Sequence, residues 1–172
     1  MPVTRLNHAV LYVREVETTR EFYENVLGFE TIVWMPGQAA FFRAGGSTND
    51  HDLGTFQIGS GAGPSMAGRA TVGLYHLAWE VDTLNELDRL QGVLRDRGSL
   101  VGASDHGTTK SVYAKDPDGH EFEVVWLIPA DQLTQADRDA GRSIKPLDIQ
   151  REVARFGGET KGGVGISQPA TA

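Results

Sequence analysis

Residues 6–13, LNHAVLYV, and residues 74–81, LYHLAWEV, share one pattern, and this repeat decides the fold. Each stretch alternates in the manner of a half-buried β-strand, and each has histidine at its third position. The repeat makes His8 and His76 equivalent positions in two related modules. Because successive side chains of a strand point to opposite faces, each histidine lies on the face opposite to the apolar side chains that pack against a helix.

An amphipathic helix pattern follows each copy of the repeat. Thr18 and Glu21 predict a capping box for the first helix, and Thr83 and Glu86 predict one for the second. A glycine ends each pattern, and three strand-like runs then follow in both halves. The sequence therefore predicts an α+β fold in which two βαβββ modules form curved mixed sheets around a shared site.

Composition along the chain indicates the boundaries of the modules. A chain of 172 residues with 40% hydrophobic content fits one globular domain or two small modules that share a core. We assign residues 1–130 to a single domain and expect the last residues to form a disordered tail. The predicted segments are module one at 5–59, a linker rich in Gly, Ser and Ala at 60–71, module two at 72–128, a helical extension at 131–157 and the tail at 158–172.

Several functional classes are excluded by composition. The chain has no cysteine, which excludes disulfides and thiolate metal sites. Its net charge of -7 comes without a basic patch, so nucleic acid is not an expected partner. No stretch approaches the ~20 apolar residues of a membrane span, and the N-terminus lacks a leader pattern. We therefore expect a cytoplasmic protein that does not bind a membrane.

Glu123 completes a candidate metal site. It lies in DPDGHEFE (116–123), on the face of its strand opposite to Phe122 and Trp126. Alone, it is either a solvated residue or a ligand, and a single strand histidine is more often a core or edge residue. Two equivalent histidines and one carboxylate would form a facial triad, which suits Fe(II). Their coincidence favours a metal site made by His8, His76 and Glu123.

These motifs resemble the vicinal oxygen chelate superfamily, which includes glyoxalase I, bleomycin-resistance proteins and extradiol dioxygenases. The resemblance covers residues ~5–128. In that family, the histidines of the first and fifth strands and the glutamate after the DPDG turn bind the metal, and these positions match His8, His76 and Glu123. The resemblance implies Fe(II), with Mn, Ni or Zn as alternatives.

Two further stretches are similar to the type I extradiol ring-cleaving dioxygenases. NDHDLGTFQIG (49–59) resembles the segment that carries their acid/base histidine, which matches His51. DHGTTKSVY (105–113) resembles their loop with an active-site histidine and tyrosine, which match His106 and Tyr113. A histidine with an ordinary pKa of about 6.5 suits both proton transfers of catechol cleavage. The resemblance implies an iron-dependent dioxygenase of aromatic catabolism, which cleaves a small catecholic or related aromatic substrate with O2.

Two alternative functions remain open at this point. One is a metal-dependent lyase or isomerase of the glyoxalase type, and the other is a resistance protein that sequesters a ligand. Glyoxalase-type members have a fourth protein ligand on the last strand of the first module, but HDLGTFQIG (51–59) has no carboxylate after Asp52. The sequence therefore favours a three-ligand site. Because dimers are common in the superfamily, we also expect a homodimer.

Overall fold

A computed structural model describes residues 2–3, 5–68, 70–141 and 143–163. The described residues form two compact units, one that lies within residues 2–66 and includes 116–119, and one that lies within residues 67–115 and 120–163. Each unit combines helix with a mixed sheet that does not close on itself, which confirms the predicted α+β class. In the parts of the chain that the structure describes, no helix is long and apolar enough to cross a bilayer.

The first unit has the predicted βαβββ order. Its sheet has the strand order β1-β4-β3-β2, in which β1 and β4 are parallel and the other pairs are antiparallel. Leu11 and Val13 of β1 are buried, whereas Val10 and Tyr12 on the opposite face are exposed. The elements are β1 (Ala9–Val13), α1 (Val16–Asn25), β2 (Glu30–Met35), β3 (Ala39–Arg43) and β4 (Leu53–Gln57).

The second unit repeats this order and extends it. Its sheet has the strand order β5-β8-β7-β6-β9, in which β5 and β8 are parallel. Its core includes four leucines on one face of α2, namely Leu84, Leu87, Leu90 and Leu94. The elements are β5 (Leu77–Glu80), α2 (Leu84–Asp96), β6 (Leu100–Asp105), β7 (Thr109–Lys115), β8 (Glu121–Leu127), α3 (Gln135–Ala140), β9 (Lys145–Pro146) and α4 (Ile149–Phe156).

One of the two predicted helix starts is wrong. Helix α1 begins before Thr18, and its N-cap residue Glu15 makes no capping hydrogen bond with its side chain. The side chain of Gln57 accepts a hydrogen bond from the N–H of Val16 instead, at 3.0 Å. A partner distant in sequence thus satisfies a helix end for which the local sequence suggested a capping box. Thr83 caps α2 by accepting a hydrogen bond from the N–H of Glu86, which is one half of the predicted capping box. The Glu86 carboxylate accepts hydrogen bonds from Arg89 instead of completing the box.

The first residues of the predicted tail differ from the expectation of disorder. The indole N–H of Trp126 donates a hydrogen bond of 3.1 Å to the carbonyl of Thr160, and the N–H of Gly162 donates one of 2.9 Å to Asp82. Because Trp126 is fully buried, its N–H needs an acceptor inside the protein, and residues after α4 provide it. Residues 164–172 of the predicted tail lie outside the described residues.

A buried ion pair joins the two helices of the extension. Asp137 of α3 is buried, and Arg155 of α4 donates two hydrogen bonds of 2.7 Å to its carboxylate. These hydrogen bonds hold the pKa of Asp137 below its usual range, although burial opposes them. A lowered pKa in the folded state stabilises the fold above the unfolded pKa of ~3.9, and this contribution is lost as the pH falls below that value.

Asp137→Asn should lower the free energy of unfolding by about 1–2 kcal/mol near neutral pH, because the variant loses the charged hydrogen bonds from Arg155. The effect should be no larger because the Arg155 side chain is partly exposed to water. The difference from wild type should shrink below about pH 4, where the unfolded chain takes up the proton. Urea unfolding of both proteins near neutral pH and at about pH 2.5 measures this difference. A difference of equal size at both pH values would contradict the assignment.

Candidate functional site

The second unit brings together His76 and Glu123. His76 immediately precedes β5, and Glu123 is the third residue of β8. The parallel pairing of these strands sets Ala78 opposite Glu123, which leaves His76 at the same end of the sheet. The Nε2 atom of His76 lies 3.0 Å from Oε2 of Glu123, and both side chains are largely buried. Two residues far apart in the sequence thus lie in direct contact within the second unit.

This pair fits the chemistry of a divalent metal. An imidazole nitrogen and a carboxylate oxygen that bind one ion at a right angle, each ~2.1 Å away, are separated by about 3.0 Å. Within either unit taken alone, the described residues contain no group of three or more potential ligands. His8, the predicted third ligand, belongs to the first unit, so the complete triad remains a prediction.

Tyr113 and His106 extend the polar site in the second unit. Tyr113 pairs with Glu123 in the register of β7 and β8, and its hydroxyl shares a hydrogen bond of 2.8 Å with Nε2 of His106. Burial, and next the carboxylate of Glu123, raise the pKa of Tyr113 to about 12. The phenol therefore stays protonated near neutral pH and can donate a hydrogen bond to a bound oxygen atom.

The first unit brings together His8 and His51, whose ring centroids lie 4.5 Å apart. The Nδ1 atom of His8 lies 2.8 Å from Oδ1 of Asn7. Because an amide oxygen only accepts hydrogen bonds, this contact assigns a proton to Nδ1 and leaves Nε2 of neutral His8 with the lone pair that a metal requires. The Nε2 atom of His51 is buried and has no hydrogen-bond partner among the described residues.

Asp52 organises the loop that carries His51. Its carboxylate accepts hydrogen bonds from the N–H of Ala44 at 2.9 Å, and from the side chains of Ser47 and Asn49 at 2.7 Å each. Asn49 also donates a hydrogen bond of 2.9 Å to the carbonyl of Asn7, beside His8. Asp52 therefore holds the backbone around His51, which explains an acidic residue there without a role in metal binding.

Gly54 is the counterpart of Glu123 in the first unit. Val10 pairs with Gly54 in the parallel strands β1 and β4, as Ala78 pairs with Glu123 in β5 and β8. A Cβ atom at Gly54 would lie 3.2 Å from the ring of Phe41, which is a tight contact. The first unit therefore has an aromatic ring beside the residue that corresponds to Glu123.

Two residues beside the predicted site were not predicted from the sequence. The ring of Tyr75 lies 4.6 Å from that of His76, and Ser111 is fully buried on the face of β7 that carries Tyr113. The alternation of KSVY (110–113) could have indicated Ser111, because residues two apart share a face. Tyr75 precedes the strand, where alternation gives no such signal.

Comparisons with known proteins identify the family. Residues 5–124 match the family model described as the Glyoxalase/Bleomycin resistance protein/Dioxygenase superfamily. A solved glyoxalase/dioxygenase structure from Nostoc punctiforme has a TM-score of 0.56 and 25% sequence identity, and the alignment covers 70% of this chain and 89% of that one. This likeness agrees with the two mixed sheets described above.

Curated relatives include dioxygenases and a lyase at similar identity. The chain is 28% identical to a catechol-2,3-dioxygenase of Bacillus subtilis, over 92% of this chain and 54% of the relative. It is 32% identical to biphenyl-2,3-diol 1,2-dioxygenase 3 of Rhodococcus globerulus, over 72% of this chain and 64% of the relative. It is 29% identical to a lactoylglutathione lyase of Neisseria meningitidis, over 70% of this chain and 89% of the relative. The chain thus spans less than two thirds of each dioxygenase.

Proposed function

Because the chain belongs to the glyoxalase/bleomycin resistance protein/dioxygenase superfamily, we propose that it is a non-haem Fe(II)-dependent dioxygenase of the extradiol type. Its proposed substrates are O2 and a catecholic or related aromatic compound. Two dioxygenases among its relatives act on such compounds according to their names, which supports this choice.

The observation that carries the proposal is the identity of residue 54. A glyoxalase-type site would have a fourth protein ligand on the last strand of the first module, and Gly54 has no side chain to provide one there. A set of three ligands leaves positions open on the metal, as an enzyme that binds both a chelating substrate and O2 requires. Gly54 therefore favours the dioxygenase over the lyase.

His8, His76 and Glu123 would hold the iron in this proposal. When bound, the iron would provide a route for electrons from the aromatic substrate to oxygen. The lone pair on Nε2 of His8 and the contact between His76 and Glu123 support these assignments. Manganese, nickel or zinc would suit the same donor atoms and remain the alternatives.

Three other side chains would handle protons and orientation. Tyr113, whose hydroxyl is protonated near neutral pH, would donate a hydrogen bond to a substrate oxygen. His106 would orient the Tyr113 hydroxyl through the hydrogen bond that they share. His51, with one buried nitrogen available, would accept a proton from a substrate hydroxyl and return it later.

An exposed apolar face in the first unit agrees with an aromatic substrate. Tyr12 and Phe56 pair across β1 and β4 and are 69% and 39% exposed. Phe41 and Phe56 meet edge to face, with ring centroids 5.7 Å apart. Aromatic rings on the same face as Gly54 would favour a flat, apolar substrate through stacking and desolvation.

Metal content and oxygen uptake, measured on the same sample, test the proposal. The protein is purified without oxygen, loaded with Fe(II) and mixed with a panel of catechols in an oxygen-electrode cell. Oxygen consumption with a yellow ring-opened product is the expected result. Isomerisation of a glutathione hemithioacetal without oxygen uptake would instead assign the lyase function and overturn the proposal.

We also propose that the protein is a cytoplasmic homodimer. Three apolar side chains of the second unit, Val72, Leu74 and Tyr75, are more than half exposed, and burial against a second copy would remove them from water. Light scattering at micromolar concentration should give about twice the mass of the chain, which is 18.7 kDa. A monomeric mass under these conditions would contradict this prediction.

A further inference from the structure

The turn between β6 and β7 carries His106, and its backbone is held at several points. We call residues 105–109 the His106 turn. The N–H of His106 donates a hydrogen bond of 3.0 Å to Thr109, and the N–H of Gly107 donates one of 2.8 Å to the Asp105 carboxylate. These hydrogen bonds contribute to the backbone conformation of the turn.

A buried lysine connects the His106 turn to helix α4. The Nζ atom of Lys110 donates hydrogen bonds to Asp105 at 2.5 Å and to the carbonyl of Gly107 at 3.2 Å. It also lies 3.3 Å from Oε2 of Glu152, and both Lys110 and Glu152 are only 1% exposed. A buried cluster of charges contributes little net stability compared with apolar packing, so stability alone does not explain why these charges are buried here.

The C-terminal end of α3 packs against the His106 turn at Gly107. Gly107 has a φ of 76°, which L side chains rarely adopt, and a Cβ atom there would collide with the carbonyl of Asp137 and the N–H of Gly141. The turn and the helix are thus in direct backbone contact. Only glycine permits both the backbone conformation and this close approach.

From these contacts we propose that Lys110, Glu152 and Gly107 are positioning residues, through which α3 and α4 hold His106 against the Tyr113 hydroxyl. The inference rests on the proposed function, because it assigns the extension a task in that same site. It would account for the burial of charged groups where the extension meets a turn with a candidate active-site residue. A hydrogen bond such as that of His106 and Tyr113, 2.8 Å long, requires a support that keeps both groups in place.

Gly107→Ala tests the proposal, and Gly98→Ala is its matched control. Gly98, after α2, has a similar φ of 70°, but a Cβ atom there would meet nothing within 4 Å. Both variants therefore carry similar backbone strain, and only the first disturbs the contact with α3. In the iron-loaded protein we expect Gly107→Ala to lower kcat about 10- to 100-fold with nearly unchanged KM and iron content, whereas Gly98→Ala should keep kcat within about twofold.

A second measurement does not depend on catalysis. The chain has five histidines, and ring NMR signals of 13C-labelled histidine in metal-free protein can be assigned with His106→Ala. In the wild-type background, Tyr113→Phe should shift the His106 signal because the hydrogen bond is lost. In the Gly107→Ala background, this shift should be much smaller. Equal shifts in both backgrounds would overturn the proposal.

Glu152→Gln keeps the test decisive if Gly107→Ala does not fold. It retains the size of the side chain, removes its charge and should likewise reduce the effect of Tyr113→Phe on the His106 signal. An undiminished effect in a folded Glu152→Gln protein would overturn the role of α4. The two proposals can fail separately. If the wild-type protein turns over no catechol but these variants still reduce the effect of Tyr113→Phe on the His106 signal, the positioning role is supported and the dioxygenase function is rejected.

Discussion

His76→Ala should yield a folded protein without bound iron and without dioxygenase activity. The substitution removes one of three predicted protein ligands, and it leaves Glu123 without the imidazole that lies 3.0 Å from its carboxylate. Two remaining ligands seldom hold a divalent ion, so we expect the affinity for Fe(II) to fall more than about 100-fold. Metal analysis after anaerobic loading and desalting measures the loss directly.

His106→Ala is the matched control for this experiment. It removes another histidine of the second unit, one that contacts Tyr113 and is not a predicted ligand. This variant should retain iron in the same proportion as the wild type, although its turnover should be slower. Stoichiometric iron in His76→Ala would refute the predicted triad, and loss of iron from both variants would indicate general damage to the site.

His51→Ala should keep its iron and lower kcat by about 10²- to 10⁴-fold, the range that a general acid or base contributes. The imidazole lies beside His8, and its Nε2 atom is buried without a partner among the described residues, so it is available to a substrate proton. Steady-state kinetics with the best catechol of the panel, together with metal analysis, checks both parts of the prediction.

Asp50→Asn is the control that removes the charge beside His51 and keeps its ring. Asp50 is exposed and lies 3.1 Å from Nδ1 of His51, so its charge is screened by water. We expect this variant to stay within about fivefold of the wild-type kcat. If His51→Ala were as active as Asp50→Asn, His51 would have no part in proton transfer.

The fold could be predicted because its signals are local and occur twice. The repeated strand motifs and the alternation of β8, with Phe122, Val124 and Trp126 buried, follow from side-chain periodicity alone. The start of α1 could not be predicted in this way, because Gln57 satisfies its first N–H from a distant strand. A local capping pattern has no means of indicating such a partner.

Local, repeated signals also indicated part of the candidate site. His76 and Glu123 stood out because of the repeat and the turn motif, and the structure brings them together. Lys110 gave no signal, because a lysine within a strand normally indicates a solvated face and its partner Glu152 lies on a helix far along the chain. The lack of a carboxylate after Asp52 was visible in the sequence, but only the strand register identified Gly54 as the counterpart of Glu123.

The ring of Phe41 beside Gly54 limits how this protein can evolve. Every glycine codon becomes an aspartate or glutamate codon when its middle base changes to adenine, so a carboxylate at this position is a single mutation away. Such a mutant would inherit a side chain whose first carbon already presses on Phe41. A lineage that gains a carboxylate here must therefore either shift the Phe41 ring by a few tenths of an ångström or replace it with a smaller side chain.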